Sequence, residues 1–249
     1  MENPSDVKEA VRSHWQEDPC AAQLASSSFG SQEFYGEVAV AKDHLEPART
    51  SFAGFADTSG QDVLEVGVGL GVDFVRFARA GALAVGVDLT EAAVESTRHL
   101  LELEGLPGEV MVADAEQLPF PDDRFDVVYS WGVLHHTPDT QRAVDEVRRV
   151  LKPGGEARIM LYALESPFAV AVWARQMVRE RRPMSARAAL ARGLESPGTQ
   201  AFTDAEVDRM FSAFETVERR RLVTAYDRKV VGPLAGVVGH GWQHLIRAR

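Results

Sequence analysis

The chain has 249 residues, 45% hydrophobic and 26% charged, which excludes disordered and fibrous classes and suits one α/β domain with additions. Its 27 Lys and Arg face 37 Asp and Glu, a net charge of −10 that is a poor footprint for binding nucleic acid. The single cysteine, Cys20, excludes an intrachain disulfide and a cysteine-based metal cluster, and no metal is expected.

In chain order, residues 1–6 lack the basic-then-apolar order of a secretory leader. Residues 1–60 carry two helical patterns, 7–15 and 39–56, separated by a Ser-rich stretch with Phe29, Phe34 and Tyr35. They are expected to form an N-terminal helical cover over a unit spanning 61–249, the whole packing as one body. Five short runs follow at 62–66, 83–87, 110–113, 125–129 and 157–162. They are almost continuously apolar, which is what parallel strands covered on both faces require. Helical patterns at 72–80, 91–104 and 140–151 alternate with them. Thr90 is placed to cap the second of these and Gly105 to end it, while Lys152-Pro153-Gly154-Gly155 reads as a turn that stops the third. The alternation predicts a doubly wound, Rossmann-like α/β sheet. Residues 163–202 form a helix-rich insertion after the fifth strand, and Thr203-Asp204-Ala205-Glu206 opens a helix to 214 with a capping box. Strands at 216–224 and 242–247 would close the sheet. The uncharged stretch 230–245 is too short and too rich in glycine to span a bilayer, so a cytoplasmic protein is expected.

Chemistry concentrates after the first strand, where Gly67, Gly69 and Gly71 occupy alternate positions before a helix. Glycines there permit positive φ and let a ligand reach backbone that a Cβ would shield. The second run ends at Asp88, whose carboxylate can accept from both hydroxyls of a ribose. The third ends at Asp114-Ala115, again on the carboxyl edge where open α/β sheets bind ligands.

Taken together, Glu65-Val66-Gly67-Val68-Gly69-Leu70-Gly71, Gly86-Val87-Asp88, Ala113 to Phe120, Phe125-Asp126-Val127-Val128 and Leu151 to Gly155 resemble the successive motifs of class I S-adenosylmethionine-dependent methyltransferases. The likeness runs over about residues 60–162 and is nearest the branch that includes the ubiquinone and menaquinone C-methyltransferases. It implies a seven-stranded sheet of order 3-2-1-4-5-7-6 with the last strand antiparallel. It also implies Glu65 and the glycine loop near the methionine portion of the cofactor, Asp88 on the ribose and Leu89 beside the adenine. Asp114 would take the adenine amine next to the Ala115 amide, and Ser130 would sit by the aminoacyl end. The activity implied is methyl transfer to a small-molecule O, N, S or C nucleophile, leaving S-adenosylhomocysteine. A nicotinamide dinucleotide is the rival occupant. The third glycine falls one residue too early for that fingerprint, and Glu65 offers a pyrophosphate nothing. A cofactor-binding protein of this fold without transfer activity, or with another reaction, is the alternative function.

Beyond the fourth strand, His135 and His136 are the candidate general bases, His135 being preferred; their competing role is to pack the turn. His14 and Trp15 are candidates to fold over the cofactor, Glu33 and Tyr35 to line an acceptor pocket, and Trp173 of the insertion to contact the acceptor. No planar-amide signature for a nucleobase follows the fourth strand. The insertion combines Phe168, Val170, Val172, Trp173 and Met177 with Arg175, Arg179, Arg181, Arg182, Arg187 and Arg192, which reads as a packed helix or lid rather than a membrane-surface helix. Charge is split accordingly: residues 1–150 hold 11 basic and 27 acidic side chains, residues 151–249 hold 16 and 10. An anionic small acceptor thus stays compatible with an acidic chain. Oligomeric state is not legible.

Overall fold

A computed structural model describes residues 3–232 and 241–249. Residues 1–2 and 233–240, half of the 230–245 stretch discussed above, lie outside the described residues. Seven strands, β1 (Asp62–Val66), β2 (Leu83–Asp88), β3 (Glu109–Val112), β4 (Phe125–Trp131), β5 (Leu151–Tyr162), β6 (Val217–Leu222) and β7 (Gln243–Ala248), form one sheet of order β3-β2-β1-β4-β5-β7-β6. The first five pair in parallel, and β7 runs antiparallel to both β5 and β6, as the resemblance implied.

Alternate residues of each strand point to opposite faces, so an apolar run feeds two cores at once. Val63, Val127, Tyr129 and Met160 pack one face against Phe52, Phe74, Phe77 and Leu100. Leu64, Val66, Val128 and Ile159 pack the other against Leu134, Val144, Val147 and Phe211. The first face is covered by α4 (Phe74–Arg79), α5 (Glu91–Glu104) and the N-terminal helices; the second by α6 (Thr140–Val150) and α9 (Asp204–Met210). Thr90 caps α5 through its side chain and Gly105 ends it with φ +63°. Thr203 and Glu206 complete a capping box on α9.

Three local expectations are corrected. Phe34 and Tyr35 do not lie in a linker: Ser31 caps α2 (Gln32–Leu45) three residues earlier, and both rings are buried within that helix. The second N-terminal pattern does not run unbroken, because Pro47 starts a separate helix, α3 (Pro47–Ala53). Lys152 to Gly155 is an irregularity inside β5 rather than a turn before it. Phe125 pairs with Leu151 and Val127 already with Glu156, so the extra residues bulge, with Gly154 at φ +78°.

Ahead of α2, α1 (Pro4–Glu17) lies across the carboxyl end of the sheet. Arg49 of α3 is completely buried and pairs with Asp43 at 2.7 Å and with Asp73, whose other oxygen accepts from the Tyr129 hydroxyl at 3.1 Å. Arg76 closes the network on Asp43 at 2.7 Å. Glu46, between α2 and α3, accepts from the Trp131 indole at 2.9 Å and from Gln243 at 3.2 Å. Ion pairs and hydrogen bonds thereby tie the N-terminal helices to β4, α4 and β7.

In the insertion, α7 (Pro167–Glu180) packs on α8 (Ala186–Gly193) and α10 (Ala225–Val231). Phe168 meets the Trp242 ring at 4.9 Å, and the Trp173 indole donates to the Met184 carbonyl at 2.7 Å. Val170 and Val178 are exposed. Arg187 pairs with Glu206, and Arg182 with Glu180. No helix among the described residues is long and apolar enough to cross a membrane.

Candidate active site

The strand order reverses between β1 and β4, and a cleft opens there at the carboxyl ends of the strands. Its empty space is about 1220 Å³, solvent-open mouth included. The glycine loop forms the floor. The Gly67 N–H donates to the Val87 carbonyl at 2.7 Å, and the Gly71 N–H to the Val68 carbonyl at 2.9 Å, which curls the chain back over β2. The glycines answer different needs. A Cβ on Gly67 would overlap the Val133 side chain, and one on Gly71 would stand 2.8 Å from Thr97 Oγ1, so these two serve close packing. A Cβ on Gly69 would meet nothing within 4 Å; this backbone faces open space in the cleft.

Asp88 secures the loop and keeps capacity to spare. Its Oδ2 accepts from the Gly69 N–H at 3.1 Å, and its Oδ1 from the Thr90 N–H and hydroxyl at 3.0 and 2.9 Å. Burial raises its pKa above the usual carboxylate value despite these bonds. Leu89, Asp114 and Ala115 line the same wall. Asp114 accepts from the Glu116 N–H at 2.9 Å and pairs with Lys8 at 2.6 Å, and Lys8 also reaches Glu116 at 2.6 Å. Lys8, Val11 and Trp15 of α1 therefore cover the cleft at this end.

Glu65 lies deeper, buried, with one carboxylate oxygen lacking a partner. Burial pushes its pKa up to about 8, against the opposing pull of Lys42 and Arg49. An ammonium group beside its unpartnered oxygen would satisfy it. Burial lowers the pKa of Lys42 on the same wall, with Arg49 adding to the effect.

At the far end stand Cys20, Trp131, His136 and Glu195. His136 follows β4 in a short 3-10 turn, Leu134–His136, which aims adjacent side chains in different directions. Its ring is 6% exposed, touched edge-on by Trp15 at 5.4 Å, and burial pushes its pKa down to about 3. Glu195 accepts from the Tyr162 hydroxyl at 3.0 Å, and burial raises its pKa.

Of the residues singled out from the sequence, Trp15, Glu65, Gly67, Gly69, Asp88, Leu89, Asp114, Ala115 and His136 share this one cleft. The others lie elsewhere. His135, preferred as a base, is fully buried and stacks on the Tyr162 ring at 3.8 Å, with neither nitrogen hydrogen-bonded and no place on the cleft wall. Ser130 faces inward and donates to the Val66 carbonyl at 3.0 Å, which leaves Trp131, the next residue on an alternating strand, to face the cleft. Gly71 packs on Thr97 beneath the loop. Tyr35 hydrogen-bonds Ser96 at 3.0 Å within the core, Glu33 is exposed in the first turn of α2, and Trp173 is taken up by the contact between α7 and α8. His14 stands behind Trp15, with ring centres 4.7 Å apart. Sequence reasoning missed Lys8, Cys20, Lys42, Trp131 and Glu195. Only Lys8, one helical face from Val11 and Trp15, left a local signal.

Residues 64–159 match a family described as a methyltransferase domain. Over 105 residues the chain is 36% identical to the methyltransferase GfsG of Streptomyces halstedii, covering 41% of this chain and 38% of that one. Over 130 residues it is 34% identical to the demethylmenaquinone methyltransferase of Clavibacter sepedonicus, covering 52% and 51%. The matched stretch thus spans about half or less of these relatives' lengths. An S-adenosylmethionine-dependent methyltransferase of Mesorhizobium loti shares the fold with a TM-score of 0.57 at 23% identity, over 82% of this chain and 96% of that one. The open backbone at Gly69, the unpartnered carboxyl oxygen of Glu65 and the acidic wall fit a zwitterionic nucleoside without phosphate. The methyltransferase-domain match over residues 64–159 and the order of the sheet make the chain similar to the class I S-adenosylmethionine-dependent methyltransferases.

Proposed function

We propose that the protein transfers the methyl group of S-adenosylmethionine to a small-molecule nucleophile held between Trp131, His136 and Glu195, and releases S-adenosylhomocysteine. The observation that carries this reading is the single cleft running from the Gly69, Asp88 and Asp114 wall to the imidazole of His136. When bound, the cofactor supplies an electrophilic methyl on a sulfonium, so the protein's task is alignment and exclusion of water. Asp88 would accept from the ribose hydroxyls, Asp114 and the Ala115 amide would take the adenine edge, and Glu65 would meet the amino group. The α1 residues Val11 and Trp15 shield this end from solvent. His136 is uncharged at neutral pH and has a nitrogen free of partners, so it is the group placed to take a proton from the acceptor.

A screen of metabolite pools with methyl-labelled cofactor tests the proposal. Label should appear in a small-molecule fraction. His136→Ala should lower turnover on the order of 10²–10⁴-fold with cofactor affinity kept, the range for loss of a general base. His135→Ala should chiefly lower the melting temperature, because that ring packs the core. Cofactor binding without transfer to any small-molecule fraction, or equal turnover in the two variants, would reject it.

A further inference from the structure

His136 lines the cleft, and only one of its two ring nitrogens has hydrogen-bond partners. Its Nδ1 stands 2.8 Å from Ser196 Oγ and 3.1 Å from Thr199 Oγ1, whereas Nε2 is buried without a hydrogen-bond partner. Both hydroxyls come from the end of the insertion and are almost completely buried. Gln200 fastens this segment around the histidine turn, its N–H donating to the His135 carbonyl at 2.8 Å and its side-chain amide to the Thr137 carbonyl at 2.7 Å.

The hydroxyl protons decide which ring nitrogen is protonated. Thr199 donates its one proton to the Ser196 carbonyl at 2.7 Å, so toward Nδ1 it can only accept. Were Nδ1 a bare lone pair, the Ser196 hydroxyl would donate to it at 2.8 Å, but it would also face the Thr199 oxygen lone pair to lone pair at 3.1 Å. The proton would then sit on Nε2, buried, 3.9 Å from the nearest Glu195 oxygen and too far to hydrogen-bond it. With the proton on Nδ1 every donor is served. Nδ1–H donates to Ser196 Oγ and Thr199 Oγ1, Ser196 donates to Thr199 at 3.2 Å, and Thr199 donates to the carbonyl.

We infer that Ser196 and Thr199 are positioning residues that hold His136 as its Nδ1–H tautomer, turning the Nε2 lone pair to the cleft to serve an acceptor whose nucleophilic atom carries a proton, a hydroxyl or an amine. The acceptor part of this inference rests on the proposed methyl transfer. As the bond from acceptor oxygen or nitrogen to methyl forms, the methyl–sulfur bond breaks and its electron pair stays on sulfur. The acceptor proton passes to Nε2, and one positive charge moves from sulfur to the imidazole. The Glu195 carboxyl group, 3.9 Å away, is placed to support that charge.

Two-bond proton–nitrogen correlation spectra of protein carrying isotope-labelled histidine read the tautomer directly, with the His136 signals assigned through His136→Gln. Wild-type protein at neutral pH, free of cofactor, should show a pyrrole-type Nδ1 and a pyridine-type Nε2. Ser196→Ala with Thr199→Val should shift the population toward the other tautomer, and Thr199→Ser should retain the wild-type pattern. With a proton-bearing acceptor, Thr199→Val should lower kcat about tenfold or more while KM stays within about twofold. A pyrrole-type Nε2 in wild type, or an unchanged pattern in the double variant, would overturn the inference. Because the tautomer is read without cofactor or acceptor, failure of methyl transfer with the Nδ1–H pattern intact would reject the proposed activity alone.

Discussion

Gly69→Ala should leave the protein folded and cost it much of its cofactor affinity, whereas Gly67→Ala should cost it the fold around the loop. Both glycines have positive φ, +53° and +85°, where a non-glycine residue loses roughly 1–2 kcal/mol. Their surroundings differ. A methyl on Gly69 enters open space in the cleft, so the expected result is a small shift in melting temperature with S-adenosylmethionine binding weakened on the order of 10-fold or more. A methyl on Gly67 overlaps the Val133 side chain, adding about 1–3 kcal/mol of overpacking. Val133→Ala in the Gly67→Ala background should recover part of that loss and no more, because the Val133 Cβ itself lies 2.9 Å from the new methyl. Thermal melts and calorimetric titrations of the four proteins separate the two glycines; a Gly67→Ala protein as stable as wild type would contradict the packing role.

Arg49→Ala should destabilise the protein by about 3–5 kcal/mol, the range for removing one partner from a buried ion pair. The guanidinium is fully buried, so its loss strands the Asp73 carboxylate inside the protein and removes one of the two cations from Asp43. Arg49→Lys should recover only part of the loss, since an ammonium cannot reach two carboxylates with a rigid fork. Urea unfolding at neutral pH checks this. A loss below about 1 kcal/mol would mean that the network is solvated and that the N-terminal helices are held mainly by apolar contacts.

What could be read from the sequence, and what could not, follows from how far each feature depends on remote chain. The five parallel strands, the Thr90 cap and the glycine loop are local patterns, with a short apolar run or a turn residue carrying its own reason, and they stand where the pattern puts them. The start of α2 escaped because the Ser-rich run hid its cap, Ser31, among similar residues. Lys152 to Gly155 looked like a turn because glycine and proline serve bulges as readily as turns. The choice between His135 and His136 could not be made from two adjacent letters: the Tyr162 ring stacks on one, while the Ser196 and Thr199 hydroxyls orient the other. Lys42 and Glu195 come from distant stretches with no periodic signature, and only the folded chain brings them to one cleft.

Asp88 is the residue through which this cleft should hold S-adenosylmethionine. Calorimetric titration of wild-type protein and of Asp88→Ala with S-adenosylmethionine tests it most directly. One site per chain is expected in the wild type, weakened by about 10-fold to 100-fold in the variant, as loss of hydrogen bonds to a charged group implies. No binding to the wild type, or unchanged affinity after Asp88→Ala, would rule out that role for Asp88.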